Sequence, residues 1–291
     1  MAKLLKGDRK PLDGFEVTRV LPNFDKKMVG PFIFFDHMGP ATFTAGNGID
    51  VRPHPHIGLA TITYMFEGSL LHRDSLGNNL EIIPSDVNWM TAGKGITHSE
   101  RETLEVKAAK HTLDGLQTWV ALPKDKAEIE PSFTHVKKSQ LPHFMKEGVL
   151  MRLIAGEACG KTAPIKTYSP MFYMDVLAPQ GKTIARPNPE QECAVYVLQG
   201  EVSIGDQAFA AGQFVLLEQE QSIVTLSQTR FVLIGGEQWQ ETPHMFWNFV
   251  SFDKDRLEQA KQDWKEGRFP AIPGDEDEFT PLPEKPKAIR A

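Results

Sequence analysis

The apolar positions of this chain come in short runs cut by Gly, Asn, Pro and charged residues, and almost none keep a helical period. Ile33, Phe34 and Phe35 form one run, closed by Gly39-Pro40, as in a buried strand that ends in a turn. Gly58 to Phe66 is rich in strand formers and stops at Glu67-Gly68. Leu70 to Asp74, the turn-rich Ser75 to Asn79, and Leu80 to Ile83 read as a hairpin. Val87 to Met90, the tight turn Gly93-Lys94-Gly95, Ile96 to Glu100 and Leu113 to Leu122 continue the series. Strands at roughly 8–12 residue spacing, separated by turn residues, predict an all-β sandwich or barrel. Residues 41–53 read as loop, the charged passage from Lys124 to Lys146 as a linker, and strands resume at Val149 to Ile154. One helix is predicted over 253–267, with Asp253 as cap, Leu257, Ala260 and Trp264 on one face, and Gly267 at its end. The Pro-rich residues 270–291 read as an extended tail.

The second half repeats the first. Thr63-Tyr64-Met65-Phe66-Glu67-Gly68 and Val195-Tyr196-Val197-Leu198-Gln199-Gly200 are both apolar strands that carry a matching tyrosine and end in a polar-Gly turn. Each leads into a hairpin and then a later strand, Val87 to Met90 in one and Phe214 to Leu217 in the other. With Gly68 set against Gly200, His54-Pro55-His56 falls on Arg186-Pro187-Asn188, so the proline is matched and both histidines are lost. The pattern predicts a duplicated β-barrel. Residues 1–130 form the N-terminal barrel and 145–250 the C-terminal one, with 251–291 as helix and tail.

Composition narrows the class. The 291 residues suffice for two domains, and 41% hydrophobic with 24% charged residues is ordinary for a soluble globular chain. A net charge of −6 without a long basic run argues against nucleic-acid binding. Cys159 and Cys193 have no paired spacing and read as reduced thiols. The N-terminus lacks a signal-peptide core, and no window approaches the ~20 apolar residues of a membrane span. The chain is expected to be cytoplasmic, away from membranes, and monomeric.

The candidate chemistry is a metal site. In a strand, residues i and i+2 share a face, so His54 and His56 project together, as do His98 and Glu100. Two neighbouring strands then aim three imidazoles and one carboxylate at one point, in the first repeat only. That donor set suits Fe(II), and also Mn, Co, Ni, Cu or Zn. No cysteine lies near it, as a structural zinc site would favour, and an octahedral ion would keep open positions, which points to catalytic iron. Other residues read as structure. His37 is expected to be hydrogen-bonded beside a turn, and Met65, Phe66 and Trp89 to pack the core. His72, His135 and His143 are expected to be exposed, and Lys26, Lys27, Glu102 and the acidic cluster Asp275 to Glu278 to be solvated.

Phe35-Asp36-His37-Met38-Gly39-Pro40, the run from His54 to Gly68 and Thr91 to Glu100 together resemble the pirins, bicupins of the cupin superfamily. The resemblance covers nearly the whole chain. It implies two tandem jelly-roll-like cupin barrels. By resemblance, His54, His56, His98 and Glu100 bind one iron. The general cupin pattern places a glutamate shortly after its His-x-His; Ala60 and Thr61 stand there, and Glu100 supplies the carboxylate, a departure typical of pirins. The family implies quercetin 2,3-dioxygenase activity in bacterial members, with a flavonol as substrate, dioxygen added to its ring and carbon monoxide released. Glu100 would then be ligand and proton acceptor. The rival reading is a non-enzymatic, metal-dependent regulator that docks onto a protein partner, a transcription co-regulator or a metabolic enzyme. A small-molecule isomerase or sugar-binding cupin is a third, since fold does not fix function.

Overall fold

The computed structural model describes residues 2–12, 15–218 and 222–284. Its strands in chain order are β1 (Lys3–Leu5), β2 (Asp8–Leu12), β3 (Phe15–Leu21), β4 (Phe32–Phe43), β5 (Asp50–His56), β6 (Leu59–Glu67), β7 (Leu70–Asp74), β8 (Asn79–Ile82), β9 (Val87–Thr91), β10 (Ile96–Arg101), β11 (His111–Ala121), β12 (Ser132–Val136) and β13 (His143–Lys146). The second half continues with β14 (Val149–Ala158), β15 (Lys161–Thr162), β16 (Met171–Ala178), β17 (Thr183–Ala185), β18 (Glu192–Gln199), β19 (Glu201–Ile204), β20 (Gln207–Ala210), β21 (Phe214–Leu217), β22 (Ser222–Thr225), β23 (Thr229–Gly236), β24 (His244–Phe246) and β25 (Phe249–Ser251). The helices are α1 (Leu104–Lys107) and α2 (Lys254–Lys265).

Two compact units result, and each draws on separated segments. One comprises Arg9–Arg19, Phe34–Lys138 and Glu241–Ala291, and the other Met1–Asp8, Val20–Ile33 and Ser139–Gln240. The first is a barrel of two antiparallel sheets, ordered β12-β9-β6-β11-β4-β3-β2 and β5-β10-β7-β8. The second has the same plan, β1-β21-β18-β23-β16-β14-β13 and β17-β22-β19-β20. Position by position the two orders correspond, so the duplication read from the sequence is a duplication of topology.

The turn used as the anchor of the repeat shows why it recurs. Gly68 and Gly200 have φ of +75° and +80°, which side chains rarely adopt. A Cβ there would lie 2.6 Å from Thr112 O in one case and 2.5 Å from Gln228 O in the other. The outer edge of each larger sheet is closed by a strand from outside the repeat. β12 closes the first barrel and lies in the passage read as linker; β1, at the N-terminus, closes the second through Lys3↔Leu216 and Leu5↔Phe214.

The second barrel is filled by one apolar cluster that includes Leu153, Phe172, Val195, Val197, Phe231 and Leu233. The first has an apolar plug of Val17, Met38, Ile49, Met65, Leu70, Ile82 and Leu113, and a polar remainder. The helix forms where the sequence places it: Asp253 accepts from Asp255 N at 2.9 Å, Leu257 and Ala260 are buried, and Gly267 follows at φ +67°. Leu257 and Ala260 pack with Ile57 and Phe249.

Several local expectations change. β4 runs on to Phe43 and β5 starts at Asp50, inside the passage read as loop. Lys26 pairs with Glu192, which also accepts from Gly30 N at 2.7 Å, so Lys26 is not merely solvated. Asp275 is half-buried, pairs with Arg101 and accepts from Ser99 Oγ at 2.7 Å, so it is not merely solvated. Glu102 is buried, accepts from Ile49 N at 2.7 Å and has His111 Nε2 at 3.0 Å. Apart from His111, these partners lie far along the chain, where no local pattern announces them.

Candidate metal centre

The smaller sheet of the first barrel carries the site. β5 and β10 pair antiparallel, with His56 opposite Ile96 and His54 opposite His98. The register then slips, and Glu100 stands opposite Val51. That is a bulge with the extra residue on β5, at Arg52-Pro53. On its other side β10 pairs with β7, which sets His98 opposite Asp74 and Glu100 opposite His72.

His54, His56 and His98 are all buried, and one ring nitrogen from each lies within 4.8 Å of the others. His56 Nε2 and His98 Nε2 are 3.1 Å apart. Two imidazoles at right angles on one ion, each ~2.1 Å from it, would put their nitrogens about 3.0 Å apart. His54 Nδ1–H donates to Arg52 O at 2.8 Å, which fixes the tautomer and leaves Nε2 with its lone pair. Among the described residues His98 Nδ1 has no partner, while the backbone of Asn248 lies against the His56 ring. Burial, and then the neighbouring imidazoles, push His56 and His98 well below the usual histidine range. Both are therefore neutral at pH 7, the form that ligates metal. The donor set fits a transition-metal ion.

Glu100 lies opposite His72 across β10 and β7. Its donor oxygen groups with His72 and His98 within 4.8 Å, whereas the three-imidazole group does not include it. Thr63 Oγ1 is 3.0 Å from Glu100 Oε1 and 2.7 Å from Gln117 Oε1, and its single proton serves one of the two. Gln117 Nε2 donates to Glu100 Oε2 at 3.3 Å. Thr63 and Gln117 face each other across β6 and β11. Burial raises the carboxyl of Glu100 above its ordinary value, with His72, Thr63 and Gln117 opposing.

His72, expected at the surface, is buried. Its Nε2–H donates to Asp74 Oδ2 at 3.0 Å, and its ring stacks on Phe133 at 4.4 Å. Asp74 also accepts from Leu76 N at 3.0 Å and Asn78 N at 3.1 Å, so it is fixed by its own turn. The sequence held a signal here: His72-x-Asp74 repeats the same-face spacing of His54 and His56. Thr63 and Gln117 gave none, because a neutral polar residue inside a strand pattern looks like strand propensity.

Trp119, two residues beyond Gln117 on β11, meets His56 edge to face at 5.0 Å and stacks on Phe34 at 3.8 Å. Arg19 lies over Phe34 at 4.4 Å and pairs with Asp36 at 2.7 Å. His37 lies inside β4, which runs through Gly39-Pro40 instead of ending there, and makes the expected structural hydrogen bond, 2.7 Å to Asp114. Met65 and Trp89 are buried, while Phe66 is only partly so. His135 is half-buried against Asn88 at 2.8 Å, and His143 is exposed. Arg186 and Asn188 stay in the loop after β17, where Arg186 donates to Glu218 O at 2.7 Å and Asn188 accepts from Glu190 N at 3.0 Å. Among the described residues, both ligand groups lie in the first barrel.

Two barrels of one plan, with a histidine cluster in the first, define a bicupin. The family model described as Pirin matches residues 14–120, and that described as Pirin C-terminal cupin domain matches 173–270. The chain belongs to the pirin family. A protein of Caulobacter vibrioides named Pirin-like protein is 48% identical over 283 residues, 95% of this chain and 97% of that one. A Pseudomonas aeruginosa protein that carries the name "Putative quercetin 2,3-dioxygenase" is 37% identical over 94% of this chain and 87% of its own. A crystal structure described as quercetin 2,3-dioxygenase from Acinetobacter baumannii superposes with a TM-score of 0.90 at 34% identity, and covers 99% of this chain and 97% of that one. No helix among the described residues is long and apolar enough to cross a membrane.

Proposed function

We propose that the chain is a quercetin (flavonol) 2,3-dioxygenase that works with one Fe(II) held by His54, His56, His98 and Glu100. The observation that carries this reading is the convergence of three buried, neutral imidazoles beside a buried carboxylate, in a chain whose relatives bear that activity in their names. Bound Fe(II) with open positions supplies Lewis acidity toward the adjacent hydroxyl and carbonyl of a flavonol and a place for dioxygen. Glu100 accepts the flavonol hydroxyl proton, and its raised pKa brings its basicity closer to neutral pH. Thr63 and Gln117 aim that carboxylate. Trp119 gives the His56 imidazole an apolar wall. The two cysteines are unpaired, which suits a cytoplasmic protein.

Oxygen uptake and carbon monoxide release by iron-loaded protein with quercetin test this reading. Wild type is expected to turn over and His98→Ala not to. Glu100→Gln is expected to lose turnover per bound metal, at saturating flavonol, by more than its metal content falls. Equal turnover per metal would leave Glu100 as ligand alone. No turnover by fully iron-loaded wild type would move the reading to a metal-dependent regulator that docks onto a protein partner.

A further inference from the structure

We propose that residues 274–280 form a strap whose docking is coupled to metal binding, with Thr280 as a positioning residue for His54. The proposal rests on the metal centre of the reading above, but not on its reaction.

The strap crosses the outer face of the sheet that carries the ligands. In that sheet β5 is the edge strand, followed by β10, β7 and β8. Ser99 stands between His98 and Glu100, so its side chain leaves the opposite face. Arg101 shares that face, as does Arg73, which lies opposite Ser99 on β7. Gly274 O accepts from Arg73 at 3.3 Å, and Asp275 accepts from Ser99 Oγ and Arg101 on β10. Thr280 then reaches β5, so one short segment ties three neighbouring strands.

The contact with β5 falls on its bulge, where the extra residue leaves the ladder unpaired. Thr280 N donates to Pro53 O at 2.8 Å, and Thr280 Oγ1 to Arg52 O at 3.4 Å. Arg52 O is also the acceptor of His54 Nδ1–H. The carbonyl that sets the His54 tautomer is therefore held by the tail, and such supports are what orient metal-ligating imidazoles. Thr280 is fixed in turn, because its carbonyl accepts from Trp264 Nε1 of α2 at 3.0 Å. The same C-terminal region reaches the other histidine of β5. Val250 N donates to Ile57 O at 3.1 Å, next to His56, and the backbone of Asn248 lies against the His56 ring.

Coupling follows in both directions. The docked strap holds the Arg52 and Pro53 carbonyls and keeps the lone pair on His54 Nε2. Release of the strap frees those carbonyls, and the tautomer is no longer enforced. An ion that binds the docked form more tightly must, by linkage, hold the strap down by the same factor.

Cobalt(II) titration of the full-length protein, read by its d–d absorption, and hydrogen exchange of the tail test this. Thr280→Pro removes the N–H that Pro53 O accepts. It is expected to weaken cobalt binding by about tenfold, the low end for loss of a supporting group. Thr280→Val keeps that N–H and is expected to stay near wild type. In nitrogen-15 spectra of the metal-free protein, His54 is expected as the Nδ1–H tautomer in wild type and as a mixture in Thr280→Pro, a change that a merely structural strap would not produce. In wild type, cobalt is expected to slow exchange of the Thr280 amide by about the same tenfold. A Thr280→Pro variant that is folded by circular dichroism and binds cobalt as wild type does would overturn the proposal. If that variant does not fold, wild type decides alone, and a Thr280 amide that exchanges equally fast with and without cobalt overturns it. The dioxygenase reading fails separately, as no oxygen uptake by iron-loaded wild type with quercetin, whatever the tail does.

Discussion

The two barrels share a strand order and differ in what they enclose. Counting from the paired glycines, Thr63 and His72 in the first correspond to Val195 and Ile204 in the second. The strand partners extend the match. Gln117, opposite Thr63, corresponds to Leu233, opposite Val195; Glu100, opposite His72, corresponds to Ile223, opposite Ile204. Four polar residues around one point are thus four buried aliphatic ones at the same register, all in the apolar core of the second barrel. Gln221, which matches His98 by the same count, lies outside the described residues. One backbone plan tolerates either interior, provided each is complete: polar groups that satisfy one another, or apolar groups that exclude water.

The largest effect is expected from His98, which belongs to both ligand groups. His98→Ala should weaken metal binding by well over the ~100-fold that loss of a supporting residue costs. Elemental analysis and calorimetric titration with Co(II) measure it, and an unchanged affinity would remove the first barrel's claim to the metal. Exchanging interiors comes next. Leu233→Gln places an amide where the second barrel offers no partner, and should cost about 2–4 kcal/mol in urea unfolding with metal binding untouched. The mirror change, Gln117→Leu, should alter the stability of metal-free protein by less than about 1 kcal/mol, yet weaken metal binding by about 10–100-fold. Equal costs in the two barrels would mean that their interiors are not the contrast described.

The pH dependence follows in size. His56 and His98 are held neutral in the folded state by burial, whereas in the unfolded chain they take up protons below about 6.5. The unfolded state then binds more protons, so the stability of the metal-free protein falls as pH drops below that value. The slope approaches ~1.4 kcal/mol per pH unit for each imidazole held neutral. Glu100, raised by burial, pulls the other way nearer pH 4–5. Urea midpoints between pH 7.5 and 5.5 should show the loss, and a flat profile would contradict the neutral pair.

The smallest effect concerns the tail. Asp275 ties residues 274–278 to the back of β10 through Ser99 Oγ and Arg101, whose Nη2 is 2.8 Å away. Burial alone would raise its carboxyl, but the bonds from Arg101 and Ser99 outweigh that and hold it low. Asp275→Asn should cost about 1 kcal/mol and speed hydrogen exchange in β10, while β22, its counterpart in the second barrel, stays unchanged.

What the sequence made readable was whatever depends on neighbours along the chain. The strand series, the paired Gly turns, the helix cap at Asp253 and the i, i+2 placement of His54/His56 and His98/Glu100 are all local, and periodicity carries them. What it hid depends on which strands pair. Nothing in Leu70 to Asp74 says that β7 lies against β10, so His72 read as an exposed residue beside a turn. Nothing in Lys3–Leu5 says that it closes the second barrel, nor in Asp275 that Ser99 and Arg101 meet it. The bulge on β5 is equally silent.

The claim that this protein's chemistry is confined to the first barrel and centred on His98 is tested most directly by diffraction from metal-loaded wild-type crystals at the metal's absorption edge. The account predicts one strong anomalous peak per chain, about 2.0–2.2 Å from a His98 ring nitrogen, and none inside the second barrel. A peak in the second barrel, or a bound ion that leaves His98 out of its ligands, would contradict it.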